Sequence, residues 1–130
     1  MANAGVYGQQ QMLNWMFGGA AATSPLQHYA GLCTLPPNST AASELTGVAL
    51  LARQPLTMST VSTPGGISTN LNAFSFSIGA SCTVRGIAVF DTATTVSGHM
   101  LFYNTLVTSW TCSSGDFVGI AAGQLKVTLF

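Results

Sequence analysis

The rhythm of hydrophobic and polar positions changes once along the chain, near residue 20. In "GQQQMLNWMFGG" the apolar residues Met12, Leu13, Trp15, Met16 and Phe17 recur at i, i+3 and i+4, the spacing of one side of an α-helix. The pattern predicts about three helical turns, ended by a left-handed glycine within the pair Gly18-Gly19. So short a helix is marginal alone. Its bulky face is therefore expected to dock, with its own sheet favoured as the seat over a neighbouring molecule.

Beyond the helix the period is 2. "HYAGLCTL" (28–35) reads as a strand stopped by Pro36-Pro37, which have no amide to give to a ladder, and "PPNSTAASE" follows as a loop. Residues 45–52 fit either a strand edge or a helical turn, and Pro55 excludes a central strand at that point. "STPGG" (62–66) is a turn. "NAFSFSIG" puts Phe74, Phe76 and Ile78 on one face and Ser75 and Ser77 on the other, as a half-buried strand requires. "CTVRGIAVF" and "HMLFYNTLV" are apolar on both faces and read as central strands covered on both sides. "QLKVTLF" alternates again, with Leu125, Val127 and Leu129 opposite Lys126, Thr128 and Phe130. The expected fold is all-β, a β-sandwich or barrel-like domain over 21–130, preceded by an N-terminal arm and short helix over 1–20.

Composition changes this picture by saying how the domain lives. At 130 residues the chain has room for one domain. Charged residues make up 5%, against roughly 25% in an ordinary soluble domain. The cations Arg53, Arg85 and Lys126 balance Glu44, Asp91 and Asp116. Three scattered cations cannot neutralise a run of phosphates, so nucleic acid is not an expected partner, nor is an anionic membrane surface. A neutral surface does not repel copies of itself, which suits a chain packed against other subunits. No segment has the apolar run of a secretory signal or a membrane span, so the chain is expected to be made in a reducing cytoplasm. Cys33, Cys82 and Cys112 are odd in number, distant in sequence and without C-x-x-C spacing. They are expected to be buried free thiols, with no metal site and no cofactor.

Candidate chemistry is sparse. Asp91 and His99 flank "DTATTVSG", where Asp91 is placed to cap the turn's amides and Gly98 to take a positive backbone angle. That role is preferred to a catalytic pair, since no G-x-S-x-G elbow accompanies them and no second carboxylate is expected to converge. No catalytic residue is assigned. Arg53 and Arg85 stand out because charge is scarce, and an internal ion pair or carbonyl cluster is favoured for each over a contact with a neighbouring subunit.

In order, the segments "MLNWMFGG", "GLCTLPP", "ARQPLTM", "STNLNAFSF", "VRGIAVFD", "GHMLFYNTL", "SGDFVGI" and "AAGQLKVTLF" resemble a family of small tailed-bacteriophage virion structural proteins, often labelled tail fibre, with capsid-decorating relatives. The correspondence covers nearly the whole chain. It departs at Leu51, where the family pattern has Tyr, and at Ser81-Cys82, where it has Trp. The resemblance implies a noncatalytic, β-rich component of a phage particle.

Composition then favours a capsid decoration, or cement, protein on the capsid exterior, since a small neutral domain with an apolar arm suits many copies on a shell. Its expected partners are the major capsid protein and copies of itself, as a dimer or trimer. The alternative is a tail, tail-fibre or baseplate-associated module, and a glycan-binding module using Trp110 and Tyr103 comes third. Aromatic and Met side chains are enriched in interface cores. The expected adhesive surface is therefore Tyr7, Met12, Trp15, Met16 and Phe17, helped by the loop at Pro36, Pro37 and Asn38.

Overall fold

β-Strands are the main regular structure in the computed structural model, which describes residues 3–18, 27–38, 40, 42–47, 52–60, 66–95 and 97–128. The elements in chain order are β1 (Asn3–Ala4), α1 (Val6–Phe17), β2 (His28–Cys33), β3 (Gln54–Leu56), β4 (Ile67–Thr69), β5 (Phe74–Ser77), β6 (Cys82–Phe90), β7 (Met100–Cys112), β8 (Phe117–Ile120) and β9 (Lys126–Thr128). Five strands form an antiparallel sheet in the order β1-β7-β6-β2-β3, and β4-β9 and β5-β8 form two ribbons. The expected all-β class holds, and the main sheet is open rather than closed into a barrel.

The centre of the sheet is β6. It lies between β2 and β7, and residues 86–90 are buried without a break, as a strand covered on both faces should be. Ile87 and Val89 join Ala30, Leu32, Leu56 and the β5 aromatics in the main core, where Phe74 and Phe76 meet edge to face with centroids 5.7 Å apart. Ala88 and Phe90 point to the other face and pack with Cys33. The alternation of Phe74, Phe76 and Ile78 is realised as expected: all three are buried and Ser75 is exposed. Pro55 sits in β3 at the sheet's edge, where its missing amide leaves no gap in a ladder.

Several expectations need correction. Strand β7 is not covered on both faces. Val84 pairs with Trp110 and Gly86 with Thr105, so residues 106–109 of β7 stand opposite Arg85 alone and bow outward, leaving Val107 fully exposed. Arg85 is exposed too, not internal. Gly18 closes α1 in the right-handed region (φ −90°), donating its amide to the Asn14 carbonyl at 3.0 Å, rather than turning left-handed. Gly19, residues 48–51 and 61–65, and Leu129 and Phe130 fall outside the described residues.

The two short ribbons are tied to each other by a buried amide, between the β4–β5 and β8–β9 connections. Asn70 is 1% exposed; its Nδ2 donates to the carbonyls of Asn72 (2.8 Å) and Ala121 (3.0 Å), and its Oδ1 accepts from the Leu125 amide at 2.8 Å. One side chain thus satisfies two backbone groups in the turn between β8 and β9 and one in its own turn between β4 and β5.

Candidate interaction surface

α1 begins where the chain must pass close over β7. The Gly5 amide donates to the Leu101 carbonyl at 2.9 Å, and Gln9 Nε2 reaches back to the Ala4 carbonyl at 2.9 Å. Gly8 is the helix's buried residue, and a Cβ there would lie 2.7 Å from the Leu101 carbonyl oxygen. Only a glycine lets the first turns rest directly on the strand's backbone. Tyr7 completes the seat by stacking on His99, centroids 3.8 Å apart and planes 11° apart.

The second half of the helix is different. At about 100° per residue, Met12, Leu13, Trp15, Met16 and Phe17 span roughly 200° of the circumference, too much for one sheet to cover. Met12 is half-buried, whereas Leu13 is 57%, Trp15 70%, Met16 60% and Phe17 78% exposed. The bulky face does not cover its own sheet, which corrects the favoured seat. No acidic residue lies in the first turn and no basic one in the last, so this surface offers shape and apolar area without charge.

The other proposed contact residues divide. Tyr7 is half-buried and engaged with His99. Pro37 is buried against Gly86, beside the Asn104 carbonyl, so it anchors its loop; Pro36 and Asn38 are exposed. Asn38 Oδ1 accepts from the Thr40 amide (3.0 Å) and hydroxyl (2.9 Å), a side-chain-closed turn. The helix is seated on β1 and β7 and the loop on β6.

The polar groups singled out by their rarity are structural. Asp91 Oδ1 accepts from the His99 amide at 2.7 Å, and Asp91 Oδ2 from His99 Nδ1 at 2.8 Å. Burial pushes the Asp91 carboxyl up, but these hydrogen bonds and the His99 charge together hold it below its usual value. Gly98 has φ +72°, and any side chain there would collide with Thr92 and Asp91. The Ser97 hydroxyl donates to the Thr94 carbonyl (3.3 Å), and the arrangement is a capped turn. Arg53 is internal as expected, 4% exposed. It makes a two-pronged pair with Glu44 (2.6 and 2.8 Å), donates to the carbonyls of Thr92 (2.7 Å) and Ser97 (3.1 Å), and lies 3.6 Å over the Phe90 ring.

One feature escaped the sequence reading, an open apolar cavity of about 620 Å³ lined by Val89, Phe102, Leu106, Trp110, Ile120 and Leu125 among others. Tyr103 and Trp110 both border it, with Asn104 and Gln124 as polar neighbours. Among the described residues, no group of three or more His, Cys, Asp or Glu is placed to hold a metal ion, and no helix is long and apolar enough to cross a membrane.

The family model described as podophage GP4 fiber I protein gp80 matches residues 3–128. Among curated proteins nothing matches the chain.

Proposed function

The chain belongs to the podophage GP4 fiber I protein gp80 family, a family of phage virion structural proteins, and from that premise we propose that it is a noncatalytic structural unit of a phage fibre. It is held in the particle through the exposed apolar end of α1. The observation that carries the attachment is the display of Leu13, Trp15, Met16 and Phe17 on one short helix whose first turns are fixed to β7. Contiguous apolar area of this kind marks an interaction site on a soluble surface, and Trp is among the residues that dominate binding energy. Copies of this chain and a neighbouring virion protein are the partners such a surface fits.

The fibre reading is placed ahead of capsid decoration because the family's description names a fibre, whereas neutrality and small size suit either location. Decoration of the capsid exterior, bridging major capsid subunits, keeps one argument: the chain shows no internal repeat of the kind a stalk needs. Purified virions separated into heads and tails, with this chain quantified by mass spectrometry in each, decide between them. A few copies travelling with the tails is the expected result. Many copies travelling with the heads would replace the fibre by the decoration reading, and absence from both would end the virion role.

A further inference from the structure

The register between β6 and β7 places Cys82 directly opposite Cys112, where β6 begins and β7 ends. Both thiols are free, Cys112 is buried and Cys82 half-buried. Directly opposed residues on antiparallel strands have Cα atoms about 4.5–5.5 Å apart, inside the span of about 4.4–6.8 Å that a disulfide bridges. Opposed side chains leave the sheet on the same face, so neither backbone has to turn. We propose that Cys82 and Cys112 form an oxidation site that closes to an intrachain disulfide on meeting a disulfide oxidant, joining the open ends of β6 and β7.

The chemistry balances with oxidised glutathione as the oxidant. The Cys82 thiolate attacks one glutathione sulfur and expels glutathione thiolate, giving a mixed disulfide. Cys112 then attacks Cys82 Sγ and expels the second glutathione. The two protons lost by the cysteines end on the two glutathione thiols, and the two electrons reduce the glutathione disulfide. Cys82 goes first because it is the more accessible. Burial raises its thiol above the ordinary value, with Cys112 and Asp116 adding to the effect, so closure is slow near neutrality and quickens as pH rises.

Cys33 does not compete. It is fully buried, it sits opposite Gly86 rather than a cysteine, and its thiol is pushed up to about 12, chiefly by burial. The bridge would close the β6–β7 hairpin at the end away from the Asp91 turn. A particle component assembled in a reducing compartment and released into an oxidising one would gain this link after assembly. Nothing in the inference depends on where in the particle the chain sits.

The test incubates the purified full-length chain with oxidised glutathione at about pH 8, then alkylates it under denaturing conditions and digests it. The expected product is lighter by two hydrogens, is alkylated only at Cys33, and yields a peptide linking Cys82 to Cys112. Its thermal midpoint should rise by about 10 °C, reversibly with reductant. Cys112→Ala should stop at a glutathione adduct on Cys82. Three alkylated thiols, a bridge through Cys33, or an unresolved adduct on Cys82 in the unsubstituted chain would overturn the proposal.

Discussion

Arg53 shows how one residue can organise a charge-poor molecule. Its guanidinium meets both carboxylate oxygens of Glu44 and the carbonyls of Thr92 and Ser97, so it joins segments that are far apart in sequence. The scarcity of charge pointed to Arg53, but not to its partner, because nothing in the spacing of residues 44 and 53 predicts a shared site. Removing one member leaves the other's charge buried, which costs about 3–5 kcal/mol, whereas replacing both by apolar groups is far less harmful. Arg53→Met is therefore expected to cost several times more stability in urea than Glu44→Leu with Arg53→Met together; equal losses would mean that the carbonyl contacts, not the ion pair, matter. Asp91 sets a second expectation, since its folded carboxyl is held below the unfolded value of about 3.9. The stability it contributes is present above about pH 4 and lost as pH falls through the folded value, because the unfolded chain binds the proton first. Thermal midpoints from pH 7 to pH 2 should fall more steeply for the unsubstituted chain than for Asp91→Asn, and parallel curves would remove Asp91 from the acid response.

At the scale of elements, local pattern was legible and long-range pairing was not. The period-2 run through Phe74, Phe76 and Ile78 specified its own strand, and Pro55 specified an edge, because each signal acts within a few residues. The outward bow of residues 106–109 was hidden, since it arises from the register between two strands that a single segment cannot reveal. β1 was missed for the same reason: Asn3 and Ala4 become a strand only by pairing with Tyr103 and Phe102. In α1 the apolar count was legible, while the side that would be covered was decided by Gly8 lying on the Leu101 carbonyl. This separates two substitutions on one helix. Gly8→Ala gains about 1 kcal/mol of helix propensity, yet its methyl presses on backbone that cannot easily retreat, at about 1–3 kcal/mol, so a net loss of thermal stability is expected. Trp15→Ala should change stability by less than about 0.5 kcal/mol while lowering occupancy in particles, measured by quantitative mass spectrometry of purified virions. A Trp15→Ala chain that unfolds, or that fills particles normally, would take Trp15 out of the attachment surface.

The whole molecule joins these observations through its electrostatics. Formal charge is zero, with three basic and three acidic residues, and the Arg53–Glu44 pair is buried, so little exposed charge remains to guide or hold a partner. What the surface offers instead is apolar area at the end of α1, at Val107 and at Phe117. Charge-led attachment weakens with salt because exposed ions beyond a Debye length of about 3 Å at 1 M are screened. Apolar attachment does not, and it is strengthened by sulfate and weakened by urea. Particles washed in 1 M sodium chloride, about seven times physiological strength, are therefore expected to keep this chain, while moderate urea should release it before the chain itself unfolds. Pelleting the particles and measuring what stays in the supernatant reads the result directly. Release by salt alone would mean that Arg85, Lys126 and Asp116, the charges outside the buried pair and the Asp91 turn, hold the chain in place, and the end of α1 would lose its role as the attachment point.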